Sequence, residues 1–114
     1  MKLFNAITAA TIIGASFMGA TPAHAKPTTC KFEGAPATTC QINHRQIKAG
    51  WKDDVLIEPN GTTRIISRDM RGEGVQINLY APGQRKGSFH SGIHRVEGDK
   101  VIIYVDGGRF SYTL

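Results

Sequence analysis

From residue 26 onward the apolar residues come only in short runs, each closed by Gly, Pro, Asn or Asp. No stretch repeats them at the three- and four-residue spacing of an amphipathic helix. Such punctuation restricts the chain to strands joined by tight turns, an antiparallel β meander. The C-terminus shows this best. Residues 101–106 and 109–114 flank Gly107-Gly108, a dipeptide free to take the positive φ of a hairpin turn. A two-residue loop there opposes Asp106 to Arg109, Val105 to Phe110, Ile103 to Tyr112 and Val101 to Leu114, which gathers apolar groups on one face. A second hairpin is expected about Asn60-Gly61. It sets Leu56 against Ile65, Val55 against Ile66 and Asp53 against Arg68, the last as a cross-strand ion pair. Residues 75–79 alternate as a half-buried strand that ends in a turn at 81–84. Residues 88–96 form a weaker strand interrupted at Gly92, and residues 38–42 an early one. The fold expected is all-β: a small antiparallel meander of about six to eight short strands, forming a barrel or a sandwich.

The first 25 residues read differently. Lys2 gives a positive start, the run from Leu3 to Ala20 is apolar, and Pro22 precedes Ala23-His24-Ala25. That is the tripartite pattern of a Sec-type signal peptide, with cleavage after Ala25. Asn5, Thr8, Thr11 and Ser16 dilute the run below what a transmembrane anchor needs. Residues 26–114 then form the single mature domain, with no transmembrane span, exported to the periplasm or the medium. The whole chain has 14 Lys and Arg against 9 Asp and Glu, a net +5. Without Lys2 the mature balance is +4. In an oxidising compartment Cys30 and Cys40 are expected to pair as a structural disulfide. Their spacing matches neither a redox C-x-x-C nor a zinc site.

Candidate chemistry is sparse, and no cofactor is implied. His90 and His94 have the four-residue spacing of a helical metal site, but Ser91-Gly92 between them in a β context separates the rings. They remain weak metal candidates, and more simply surface or partly buried structural histidines. A hydrolytic triad could draw on Ser88 or Ser91, His90 or His94, and Asp99, without a Gly-x-Ser-x-Gly elbow to mark it. The acids read as solvated or turn residues. The arginines say more, because a guanidinium matches carboxylate and phosphate oxygens bidentately. If Arg64, Arg68, Arg71, Arg85 and Lys86 come together beside Trp51 or Tyr80, they form a face for an anionic partner. An anionic polysaccharide, a lipid head group or an acidic protein would fit. Net charge this modest gives no dedicated nucleic-acid signal. Trp51 would otherwise cap the core.

The Ser91-Gly92-x-x-Arg95 segment, set before a Gly-Asp turn and a final hairpin, faintly resembles the periplasmic inhibitors of c-type lysozyme. Those are small exported antiparallel β domains that insert a Ser-Gly loop into the enzyme's cleft. Arg95 stands where that family has tyrosine, and no late cysteine staples the C-terminus, so membership is not assigned. The leading expectation is a non-catalytic exported binding protein with an Arg-rich face. The alternatives are a small hydrolase or metal-dependent enzyme using His90 and His94, and an inhibitor presenting the Ser91-Gly92 loop.

Overall fold

Turns decide how these strands meet. The computed structural model describes residues 25–114; the leader assigned to residues 1–25 lies, Ala25 apart, outside the described residues. Eight strands follow one another: β1 (Lys26–Phe32), β2 (Thr38–Lys48), β3 (Trp51–Ile57), β4 (Thr63–Asp69), β5 (Gly74–Tyr80), β6 (Ser88–Glu97), β7 (Lys100–Val105) and β8 (Gly108–Thr113). Each pairs antiparallel with the next, and β8 returns to β1, so the sheet closes into a barrel rather than a sandwich. The closing seam is short, pairing Cys30, Lys31 and Phe32 with Tyr112, Ser111 and Phe110. Glu33 extends it: its N–H donates to the Arg109 carbonyl at 3.2 Å, and its carboxylate accepts from the Arg109 N–H at 3.2 Å.

Alternation along the strands fills the barrel with Ile42, Leu56, Ile66, Val75, Ile77, Val101, Ile103, Phe110 and Tyr112. Cys30 and Cys40 form a disulfide within this core, with Cα atoms 6.0 Å apart. Closing so small a ring removes enough unfolded-chain entropy to contribute about 3 kcal/mol. For a domain of this size that is a substantial share of the total.

Two hairpin registers differ from the sequence expectation. The last turn is Asp106-Gly107, not Gly107-Gly108. Both central residues take positive φ, 51° and 76°, as a type I′ turn demands, and Asp is among the few non-glycine residues that tolerate it. Val105 therefore faces Gly108, Ile103 faces Phe110 and Val101 faces Tyr112. Partners move by two residues, so the inner face keeps its expected side chains. The Asp106–Arg109 pair does not form.

The β3–β4 hairpin slips by one residue, and here the faces change. Leu56 faces Arg64, Asp54 faces Ile66, and Asp53 faces Ser67. Pro59-Asn60-Gly61 make a three-residue loop. The Glu58 N–H donates to Thr62 O and the Gly61 N–H to Glu58 O, both at 2.9 Å, with Gly61 at φ 92° as the bulge residue. The expected Asp53–Arg68 pair is lost, because an odd shift sends alternate side chains to the other face. Asp54 turns into the barrel instead. On the outer face Asp53, also buried rather than solvated, accepts from Ser67 Oγ at 2.6 Å and from Arg45 Nε at 3.3 Å.

β6 runs unbroken through Gly92, which faces Val75 on one side and Val105 on the other. Ser91-Gly92 thus belongs to a strand laddered on both sides, not to a projecting loop. β2 continues well past the expected residue 42, and Ile42, His44 and Arg45 face Leu56, Asp54 and Asp53 across the β2–β3 ladder.

Candidate functional site

The expectation that every acid is solvated or in a turn fails first at Asp54, which is wholly buried. Four groups meet there. Arg68 donates from Nε to Oδ2 at 2.7 Å and from Nη2 to Oδ1 at 3.4 Å. The Tyr112 hydroxyl donates to Oδ2, and His44, an exposed residue, approaches Oδ1 with Nδ1 at 2.8 Å. A carboxylate only accepts, so His44 Nδ1 carries the proton in that contact. Arg68, a candidate for the anionic-partner face, is itself buried and spends its charge inside the fold. This cluster is structural: each donor satisfies a lone pair that would otherwise be desolvated and unpaired.

Tyr112 registers the environment. Burial, and then the negative charge of Asp54, push its phenol far above the ordinary tyrosine range. Unfolded, it ionises near 10.0; folded, it keeps its proton. Above that pH the folded state therefore holds the extra proton, and stability falls with rising pH by up to about 1.4 kcal/mol per unit. Below it the contribution is fully present. Tyr112→Phe should flatten this alkaline limb while losing about 1.5–3 kcal/mol at neutral pH for the charge-assisted hydrogen bond. Urea titrations between about pH 8 and 11 read both effects; an unchanged alkaline slope in Tyr112→Phe would contradict the assignment.

The other cluster lies at the mouth reached by the β1–β2, β3–β4, β5–β6 and β7–β8 connections. Arg64 faces inward there. Its guanidinium sits 4.4 Å from the Phe32 ring centroid and 4.9 Å from that of Phe110, while Nε donates to Glu58 Oε2 at 2.8 Å. Stacked and tethered, the group is held in one orientation. It lines a recess of about 140 Å³ together with Ile77, Leu79, His90, Val105, Asp106 and Phe110. Ser88, His90 and Asp106 form a chain along its rim: Ser88 Oγ lies 2.9 Å from His90 Nε2, and His90 Nδ1 lies 2.5 Å from Asp106 Oδ2.

Closure of the barrel splits the predicted arginine face. Arg64 sits at this mouth, and Arg85 and Lys86, both exposed, are on the β5–β6 connection at the same end. Trp51, Arg68 and Arg71 go to the opposite half. There Arg71 lies 3.9 Å from Asp69, and the Lys48 ammonium lies 5.4 Å from the Trp51 ring centroid. Tyr80 ends β5 on the Arg64 side.

His90 and His94 do not act together. His94 is buried, and its Nδ1 lies 3.0 and 3.1 Å from the carbonyl oxygens of Glu73 and Gly74, so that nitrogen carries the proton. Among the described residues no three His, Cys, Asp or Glu side chains converge as a metal set. Asp99 sits in the β6–β7 turn, at the end away from His90, and Asp106 takes the place expected for it. Sequence reasoning missed that role because the misplaced turn assigned Asp106 to Arg109. The available signal was the Asp-Gly dipeptide itself, the strongest short hairpin marker.

No family model, curated protein or solved structure matches this chain. No helix of the described residues is long and apolar enough to cross a membrane.

Proposed function

We propose that the chain is an exported protein that binds an anionic partner at the Arg64 mouth. The observation that carries this reading is the guanidinium of Arg64, fixed against Phe32 and Phe110 by its bond to Glu58 at a recess on the same end of the barrel as the exposed Arg85 and Lys86. A pre-oriented Arg loses little rotamer freedom when it meets an oxyanion. The exposed Arg85 and Lys86 add attraction that salt screens. An acidic polysaccharide, a lipid head group or an acidic protein surface all present such oxygens. The leader and the disulfide support export.

Heparin serves as the probe. Arg85→Ala with Lys86→Ala should weaken its binding about tenfold at fixed salt, from two exposed contacts worth up to about 1 kcal/mol each. Arg71→Ala with Arg95→Ala removes the same charge elsewhere on the barrel and should leave binding nearly unchanged. Equal weakening by the two double variants would reduce the attraction to net charge and sink the assignment to this mouth.

A further inference from the structure

The rim of the same recess carries a chain that anion binding does not use. His90 Nδ1 approaches a carboxylate, which only accepts hydrogen bonds, so Nδ1 carries the proton. In the neutral ring Nε2 is then the acceptor, and Ser88 Oγ, at 2.9 Å, donates to it. Hydroxyl, imidazole and carboxylate stand in the order and roles of a serine nucleophile, its general base and the group that orients the base.

The barrel fixes all three. Ser88 and His90 are two residues apart on β6 and so share its inner face. His90 is held across from Ile77 in the β5–β6 ladder. A Cβ on Gly87 would lie 2.7 Å from the Leu79 carbonyl oxygen and 2.9 Å from the Tyr80 ring, so the backbone entering Ser88 lies tight against β5. Asp106 is held by the positive-φ turn that joins β7 to β8. The adjoining recess, about 140 Å³ and walled by Ile77, Leu79, Val105 and Phe110, is close to the ~150 Å³ that holds a benzene-sized ligand. It fits a short acyl chain, and the Arg64 guanidinium, paired with Glu58, lines the same recess.

We infer that Ser88 is a nucleophile toward short-chain carboxylic esters. Ser88 Oγ bonds to the acyl carbon as its proton passes to His90 Nε2. The ester C–O bond breaks, and the alcohol leaves with that proton. Water, deprotonated by His90, then cleaves the acyl-serine, releases the acid and restores the hydroxyl. This inference rests on the Ser88–His90–Asp106 geometry and not on the anion-binding reading, so either can fail alone.

The full chain is treated with a fluorophosphonate, the labelled residue is located by peptide mapping, and p-nitrophenyl acetate hydrolysis is followed in parallel. Label is expected on Ser88. His90→Gln should slow both labelling and hydrolysis by about 100-fold or more, the usual weight of a positioned base. Asp106→Asn keeps a residue suited to the turn and should slow both at least tenfold, while Ser88→Ala abolishes both with an unchanged far-ultraviolet circular dichroism spectrum. Absence of label at Ser88, labelling indifferent to His90→Gln, or hydrolysis that survives Ser88→Ala would each overturn the inference.

Discussion

Asp54→Asn is expected to cost about 3–5 kcal/mol, the penalty for leaving a buried charge without its partner. Asn preserves the shape of Asp54 but not its charge. Arg68, whose side chain is only 4% exposed, would then keep a full positive charge in the barrel with nothing to neutralise it. Tyr112 and His44 would both lose their anionic acceptor. In a domain of this size such a loss corresponds to a fall of roughly 15–30 °C in Tm, and it approaches the whole stability of many small domains. The intact ion pair is not thereby shown to be strongly stabilising, because desolvation offsets much of its Coulomb energy. Asp54→Leu combined with Arg68→Met separates the two effects. The double variant removes both charges, fills the space with apolar atoms, and should recover most of the stability lost in Asp54→Asn. Urea denaturation of the three proteins is the measurement. A single variant costing under about 1 kcal/mol would mean that water reaches Arg68.

Gly92→Ala should be as damaging for a different reason. A Cβ there would lie 2.0 Å from the Tyr104 carbonyl oxygen, 3.1 Å from its carbon and 3.2 Å from Val105 Cα. All three are backbone atoms of β7, so no rotamer change relieves the clash. β6 and β7 must part, and the ladder that holds His90, His94 and the final hairpin in register would distort with them. A cost of about 3 kcal/mol or more is expected, far above the ~0.4–1 kcal/mol that Ala gains by restricting the unfolded chain. Gly74→Ala is the matched control. It lies on β5, where the nearest atom to a new Cβ is Asp69 Cβ at 3.9 Å, and it should change stability by no more than about 1 kcal/mol. Similar losses at the two positions would mean that intrinsic glycine effects, not the β6–β7 approach, set the cost.

The candidate site was only partly legible beforehand. Ser88 and His90 could be picked out as residue types, with Ser91 and His94 as open alternatives. The third member depended on the turn. Reading Gly107-Gly108 as the hairpin loop paired Asp106 with Arg109, whereas the observed Asp106-Gly107 turn frees its carboxylate for His90. The arginines failed for a larger reason. Arg64 and Arg68 lie four residues apart and share the inner face of β4. One nevertheless stacks on Phe32 and Phe110 at a mouth, while the other is buried with Asp54.

Local chemistry by itself determined the all-β class, the disulfide pairing and most strand positions, because turn dipeptides, alternation and a short cysteine separation act within a few residues. Register and closure lay beyond it. A one-residue slip at Pro59-Asn60-Gly61 sent Asp54 into the barrel and Asp53 to the outer face, and the bulge that sets the slip stands where a two-residue Asn-Gly turn was expected. The β1–β8 seam is the most non-local pairing in the chain, and only the assembled barrel brings Cys30 to Tyr112 and Tyr112 to Asp54. Tertiary structure decided which charges face water and which are buried, since that depends on what lies across the barrel rather than beside the residue in sequence.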